Sequence, residues 1–485
     1  QTVMQENIKG LYAAFKAKDA RFDGRFFVGI SSTGIYCRPV CKARQPKAEN
    51  CTFFRTAAAA EQAGYRPCLL CRPELAPGSS ITDATADLVY RAARMLERNC
   101  GSGQSLREIA ERLGCTDRHL RRVFTAEYHV SPVQYLQTCR LLLAKNLLTD
   151  TDLSVLAAGF GSLRRFNDLF KKHYQLVPTA LRKINAEARR HDGEITLALG
   201  YRPPYAWDKI LKFLAGRAIT GIEVVNNDEY LRTVKLQNAE GQQFCGWVRV
   251  GHRPAKNTLS VTVSESLLPV LPEVLARIKN LFDLYCEPKA VYETLQVMNT
   301  LQPGLCVLGT RLPGCFNVFE MSVRAVLGQQ ITVKAASTLA ARLVAVYGTQ
   351  VQTGIEGLTH SFPAPAAILA LGENISEHLG KLGIISARAN TIYQLARVLA
   401  DEKNDFGFCG NPEEEMQKLQ AIRGIGSWTA QYIAMRAMGW PDAFLPTDAG
   451  IKKALPDHTP KELQVLSEAW RPWRSYATVN LWNTL

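Results

Sequence analysis

At 485 residues the chain is too long for one ordinary core, and at roughly 100 to 200 residues per domain about three domains are expected. Its net charge of +14 asks for an anionic partner, and the excess sits at the front: residues 1–185 hold 28 Lys and Arg against 16 Asp and Glu, whereas the remainder holds 30 against 28. No run of about 18 apolar residues could span a bilayer and no charged-then-apolar leader opens the chain, so a soluble, intracellular protein with no membrane partner is expected. Thirteen cysteines, an odd number, exclude complete disulfide pairing and suit reduced thiols with a subset on metal.

Residues 1–77 are aromatic-rich and turn-rich, with TGIYCRPVCKAR followed by YRPCLLCRPE. Cys37-x3-Cys41 and Cys68-x2-Cys71 are two thiolate pairs whose spacing suits one tetrahedral four-cysteine Zn2+ site, and on spacing alone such a site only folds a small domain. The passage closely resembles the N-terminal domain of the Ada-type bacterial alkylation-response proteins. That resemblance implies a zinc-bound cysteine that takes a methyl group from a DNA phosphotriester, with Cys37 the acceptor and Cys41, Cys68 and Cys71 completing the metal site. Spacing does not say which of the four reacts. A divalent ion with four thiolates carries a net charge of about minus two, and methylation of one sulfur removes one unit of it, so repulsion of nearby phosphates falls. Cys51 lies outside both pairs and reads as a buried apolar residue.

The APGSS stretch at 76–80 reads as a linker, and a helical pattern covers Ala84 to Arg98. SLREIAERLGCTDRHLRRVF then gives a periodic helix, a turn at Gly114 and a second helix rich in Arg and His, which together read as a helix-turn-helix. A second copy follows a long connecting helix, in DLSVLAAGFGSLRRFNDLFKKHYQLVP, so residues 84–185 carry a two-fold repeat that resembles the AraC-type DNA-binding domain. Arg118, His119, Arg121 and Arg122 in the first unit, and Ser162, Leu163, Arg164, Arg165 and Asn167 in the second, are the groove-facing candidates. The plainer reading is a solvated helix face, and which residues would touch bases rather than phosphates is not readable.

KINAEARRHD at 183–192 reads as a second linker, after which a small mixed α/β segment at 193–285 precedes a helical part at 286–485. Near the end, AIRGIGSWTAQYIAMRAMGWPDAFLPTDAGIK places a Gly-x-Gly turn (Gly424, Gly426) before a helix starting at Ser427, a combination that presents backbone N–H groups to phosphate. A lone carboxylate, Asp448, follows. The stretch resembles the helix-hairpin-helix and Gly-Pro-Asp signature of the DNA glycosylase superfamily, and FLPTDAGIK with WRPWRSYA is closest to its AlkA-type 3-methyladenine glycosylases. The resemblance covers 193–485 and implies that Asp448 is the catalytic aspartate. A carboxylate there could offset positive charge on the sugar as an N-glycosidic bond breaks, and a leaving base that is already cationic needs no strong acid.

By position, Phe213, Trp428, Tyr432 and Trp482 match family residues near the extruded base, although each alone would also serve as core. Trp428 and Tyr432 are four apart and share a helix face. Trp428 stands where relatives that also cleave the backbone carry a Schiff-base lysine, which disfavours a lyase step and a substrate range of oxidised pyrimidines. RLPGCFNVFEMSVRAVLGQQITVKAA matches the segment bearing the residue wedged into DNA, here Gln330 where a familiar member is apolar. Asn483, where a close relative has tyrosine, is a second departure.

The expected fold class is α+β multidomain: a small zinc α/β domain, an all-α double helix-turn-helix domain, and a mostly α glycosylase with a small N-terminal α/β subdomain. The resemblances together imply a monofunctional glycosylase for alkylated purines joined to a methylation-switched regulator. Its partners would be double-stranded DNA carrying alkylated bases and methyl phosphotriesters, promoter DNA and RNA polymerase, and the protein a cytoplasmic, nucleoid-associated bacterial monomer. The rival reading is a methylation-activated transcription regulator whose glycosylase part only binds DNA.

Overall fold

The structure, a computed structural model, describes residues 4, 8–77, 87–100, 104–150, 162–174, 178, 193–238, 240–400 and 412–485. The N-terminal unit is a four-stranded sheet in the order Cys51–Phe54, Phe27–Ile30, Ile35–Cys37, Arg66–Pro67, antiparallel except for the last pair. Alternate strand residues point to opposite faces, so Val28 and Phe53 join Phe26 and the cysteines in one core while Phe27, Tyr36 and Phe54 face another. Onto that second face packs the helix Ala57–Gln62, whose four alanines allow close approach and whose start is capped by the Thr56 hydroxyl.

Among the described residues the helices Asp87–Arg98, Leu106–Arg112, Asp117–Tyr128, Pro132–Asp150 and Leu163–Tyr174 follow. Leu106–Arg112 opens with a capping box of Ser105 and Glu108, and Asp117–Tyr128 with a Thr116 cap, two local signals that fix where each helix begins. Ile109, Leu120, Phe124 and Tyr128 recur at helical spacing and are buried, leaving the Arg and His side chains outside. Most of both expected linkers, and the first helix of the second helix-turn-helix unit, lie outside the described residues.

The third part begins with an antiparallel five-stranded sheet in the order Glu194–Gly200, Thr258–Ser264, Gln243–Arg253, Glu229–Gln237, Glu223–Asn226. Its first strand alternates strictly in burial, and the helices Trp207–Ala215 and Leu271–Leu281 share its core. Two helical bundles complete the fold. One packs Val318–Leu327, Val333–Tyr347, Ser386–Leu399, Pro412–Gln420 and Ser427–Arg436 around Val323, Leu343, Ile392 and Ile433. The other gathers Pro288–Leu295, Ala449–Ala454, Pro460–Leu466 and Arg474–Trp482 around Phe444, Trp470 and Trp473. Trp428, Tyr432 and Trp482 sit where these cores meet: Tyr432 packs on both helical bundles, and Trp482 on the second and on the sheet core.

The parts are not separately cored. Leu141, Leu147, Phe166, Phe170 and Tyr174 of the helix-turn-helix region join Ile195, Leu197 and Val261 of the five-stranded sheet in one cluster. Polar contacts cross the other seams. Arg98 pairs with Glu273, the Arg94 guanidinium lies 3.0 Å from the Tyr285 ring centroid, and Arg25 meets Glu287 at 3.0 Å. Among the described residues no helix is long and apolar enough to cross a membrane, and no cysteine forms a disulfide.

Candidate active site and zinc centre

Asp448 is the N-cap of the helix Ala449–Ala454 and is only 8% exposed. Its Oδ1 accepts three N–H groups, from the Gly450 backbone at 2.8 Å, the Ile451 backbone at 3.1 Å and the Trp482 indole at 2.8 Å. Oδ2 accepts one, from the Trp428 indole at 3.2 Å. Oδ1 is saturated and Oδ2 keeps acceptor capacity, so the carboxylate is held at one oxygen and available at the other. Gly450 makes this possible: a Cβ there would lie 2.7 Å from Trp482 Cδ1 and push the indole away.

The aromatic residues form the walls. Trp428 and Tyr432 stack at 5.2 Å and 11°, as their four-residue spacing predicts, Trp482 tilts against Tyr432 at 6.2 Å, and Phe213 stacks on Trp482 at 5.9 Å. Phe213 is buried and covered by cations, with Arg217 3.7 Å and Arg436 4.8 Å from its centroid, so it supports the pocket rather than offering a free ring face. Arg436 Nη1 donates to the Tyr432 hydroxyl at 2.8 Å while its other nitrogens donate to the Pro313 and Gly314 carbonyls. Burial pushes the Tyr432 phenol up, but Arg436, Arg217 and Arg324 outweigh it and hold the phenol below the ordinary tyrosine range. Asn483 is half-buried at the C-cap of the last helix.

The hairpin turn lies beside Gln329. Gln329 Nε2 donates to the Gly424 carbonyl and to Thr429 Oγ1, both at 2.9 Å, and Arg388 donates to the Gln329 carbonyl. Gly424 has φ +96° and no room for a side chain, since a Cβ would fall 2.0 Å from Thr391 Oγ1. Gly426 caps Ser427–Arg436 with no side-chain hydrogen bond, so the first-turn N–H groups are open to an anion. Gln330 is exposed in the neighbouring turn with φ +55°, a left-handed conformation that strains a non-glycine residue.

Cys37, Cys41, Cys68 and Cys71 bring their Sγ atoms within 4.8 Å of one another. Tetrahedral zinc with Zn–S of about 2.3 Å needs sulfurs about 3.8 Å apart, so the set fits one zinc ion. The cysteines differ in their neighbours. Cys71 accepts the Arg38 N–H at 3.3 Å. Cys37 is 2% exposed, while Cys71 is half-buried. Cys51 is half-buried rather than buried, its Sγ turned to the Lys47 carbonyl, and burial pushes its thiol up to about 11.

Family models match in the same order along the chain: the metal binding domain of Ada at 10–74, a helix-turn-helix domain at 109–184, the AlkA N-terminal domain at 196–317, and the HhH-GPD superfamily of base excision DNA repair proteins at 323–474. The probable bifunctional transcriptional activator/DNA repair enzyme AlkA of Mycobacterium tuberculosis is 37% identical over 99% of this chain and 97% of its own length. The chain belongs to this bifunctional AlkA family. The DNA-3-methyladenine glycosylase 2 of Escherichia coli is 36% identical over 59% of this chain and 96% of its own. Among solved structures, the 3-methyladenine DNA-glycosylase from Archaeoglobus fulgidus aligns with a TM-score of 0.49 at 21% identity, over 59% of this chain and 96% of that one.

Within this bifunctional AlkA framework the remaining candidates are placed as follows. Arg118, His119, Arg121 and Arg122 are exposed along Asp117–Tyr128, with Arg121 Nε on Asp117 at 3.0 Å and Arg122 on His119 at 3.3 Å. Ser162, Arg164 and Asn167 are exposed in or beside Leu163–Tyr174, and the side chains of Leu163 and Arg165 lie outside the described residues. The sequence reading missed Arg217, Arg436, Gln329, Thr391 and Gly450. Gly450 and Gln329 lie next to singled-out motif residues, but their value shows only in contacts made across the fold.

Proposed function

We infer that the protein repairs alkylated DNA as a DNA-3-methyladenine glycosylase of the 3-methyladenine and 7-methylguanine class, and that it accepts methyl groups from DNA phosphotriesters. The observation that carries the first activity is Asp448, fixed by three donors at Oδ1 with Oδ2 left to act. A target base cannot be reached inside the duplex, so it is extruded, at a cost of about a few kcal/mol, into the space bounded by Trp428, Tyr432 and Trp482. Gln330 fills the vacated stack, and the N–H groups after Gly424 and Gly426 hold the backbone. As the N-glycosidic bond breaks, its electrons neutralise the cationic base while Asp448 Oδ2 offsets the charge left on the sugar and orients the water that adds at C1′. Trp428 cannot form a Schiff base, which supports hydrolysis without strand cleavage.

For the methyl acceptor we read Cys37 as the nucleophile, as the resemblance to the Ada-type domain implies, and a donated N–H, which draws charge from a thiolate, falls on Cys71 instead. Zinc, when bound, keeps the four thiols unprotonated at neutral pH. Cys37 Sγ forms the new bond to the methyl carbon, the methyl–oxygen bond breaks, and a phosphodiester leaves. The exposure of Cys71 favours it instead, so peptide mapping after treatment with methyl-phosphotriester DNA decides between them. DNA is the partner throughout. Promoter DNA read by Arg118, His119, Arg121, Arg122, Arg164 and Arg165, contact with RNA polymerase, a monomeric state and a nucleoid-associated cytoplasmic location complete the proposal.

Chromatography of the bases freed from methylated duplex DNA by the purified protein tests the enzymatic half. Release of 3-methyladenine and 7-methylguanine with intact strands is expected. Binding without release leaves the regulator reading in its place.

A further inference from the structure

The zinc centre reaches solvent at one edge. Cys37, Cys41 and Cys68 are buried and Cys71 is half-buried, so an incoming group meets the sulfurs from the side of Cys71. The turn that leads into Cys71 carries Leu69 and Leu70, which are 39% and 65% exposed. Neither joins the core that gathers the four cysteines with Phe26, Val28 and Phe53, so the fold of this unit does not ask for leucine at these positions. Cations stand close by in the chain. Lys42 and Arg44 are exposed just after Cys41, Arg66 is half-buried just before Cys68, and none of the three side chains has an ion-pair partner among the described residues. Arg38 and Arg72, beside the other ligands, are committed instead: Arg38 to Asp23, and Arg72 to Glu74 and Asn146, each at 2.9 Å. The open edge of the thiolate cluster therefore presents two free leucines within a surround of free positive charge.

An anionic phosphodiester and a neutral methyl phosphotriester fare differently at such an edge. Contact with leucine strips water from the phosphate group, which costs an anion far more than a neutral ester, while the ester's methyl carbon gains from the apolar surface. The free cations hold the anionic phosphates on either side, which positions the backbone without reading its sequence. We propose, on the basis of the methyl-acceptor reading, that Leu69 and Leu70 are specificity-determining residues that seat the neutral triester against the thiolate cluster and exclude undamaged phosphodiesters. The transfer balances: a cysteine sulfur gives an electron pair to the methyl carbon, the methyl–oxygen bond breaks, and its pair stays on the phosphate oxygen. The product is a phosphodiester anion, which the same leucines disfavour, so the surface that admits the lesion also releases the repaired backbone.

The test follows methylation of the four zinc cysteines in the full-length zinc protein by peptide mass mapping, with two methyl donors: a duplex bearing one methyl phosphotriester, and iodomethane, whose reaction reports the thiolates alone. Leu69→Ser/Leu70→Ser is expected to slow transfer from the triester duplex by about tenfold, the scale of losing part of the burial of two leucine side chains. The iodomethane rate, the zinc content and the affinity for unmodified duplex should hold. Leu69→Met/Leu70→Met, apolar and of similar volume, should restore the triester rate. An unchanged triester rate in the serine variant overturns the proposal, and loss of promoter activation in its place would assign the leucines to a protein partner. Equal losses with both donors would make the leucines part of the zinc fold and overturn it too, as would a parallel weakening of unmodified duplex. Wild-type protein that takes methyl from iodomethane but none from the triester duplex overturns the methyl-acceptor reading itself.

Discussion

At Asp448 one side chain serves two purposes, capping a helix with Oδ1 and leaving Oδ2 toward the pocket. Asparagine caps helices about as well as aspartate, so Asp448→Asn keeps the backbone of Ala449–Ala454 and removes the charge. The variant should still bind lesion DNA while single-turnover excision of 3-methyladenine falls by about 100-fold or more, the scale of losing one fixed electrostatic stabiliser. Near-wild-type excision would take Asp448 out of the chemistry. Asp448 was legible because a carboxylate follows the hairpin motif at a fixed distance, and Trp428 with Tyr432 because helical spacing puts four-apart residues on one face. Arg217 was not, since a lone arginine after a helix has meaning only once residues 213, 432 and 482 are folded around it. Phe213 was placed in the right neighbourhood, but the guanidiniums on its ring were invisible to any spacing argument.

Among the elements, the hairpin between Pro412–Gln420 and Ser427–Arg436 depends on one close approach. The Thr391 hydroxyl donates to the Arg423 carbonyl at 3.0 Å and occupies the space where a Gly424 side chain would sit. Gly424→Ala meets both that collision and a φ of +96°, and should destabilise the protein by about 1–3 kcal/mol and weaken duplex binding as the turn shifts. Thr391→Ala alone loses a buried hydrogen bond, but in combination it vacates the space, so the double variant should be more stable than the sum of the single losses. Strictly additive losses in urea unfolding would mean that the backbone angle alone sets the cost. Elements of this kind were readable where period and caps agree, as in the Ser105–Glu108 box and the alternating strand Glu194–Gly200. Gly424 was readable as a turn, whereas Thr391, more than thirty residues earlier in sequence, was not.

For the molecule as a whole, composition suggests parts joined by linkers, but periodicity carries no sign of how those parts dock, and the docking combines shared apolar cores with buried polar knots. Glu61 is 5% exposed and accepts hydroxyls from Tyr36 at 2.9 Å, Thr138 at 3.0 Å and Tyr174 at 3.0 Å. It thereby joins the strand that ends in Cys37, the connecting helix and the end of Leu163–Tyr174. Beside it, Lys145 Nζ meets Glu74 at 2.6 Å and Arg72 meets Glu74 at 2.9 Å. Burial pushes the Glu61 carboxyl up to about 7, against the pull of the three hydroxyls and Lys145. The folded state therefore holds this proton more tightly than the unfolded chain, where the pKa is about 4.3. Its contribution is fully present below about pH 4.3 and is lost as pH rises through about 7, a difference of about 3 to 4 kcal/mol at about 1.4 kcal/mol per unit. Glu61→Gln, shaped like the protonated acid, should remove that dependence. Urea unfolding of the full-length zinc protein at pH 6, 7 and 8, followed by a probe in the first 174 residues, should show the wild-type midpoint falling relative to the variant as pH rises. Protonation of the zinc thiolates at lower pH acts on both proteins alike and cancels in that difference. Parallel midpoints across the range would mean that Glu61 keeps the same charge folded and unfolded, and that the three hydroxyls, rather than a shared proton, hold the seam together.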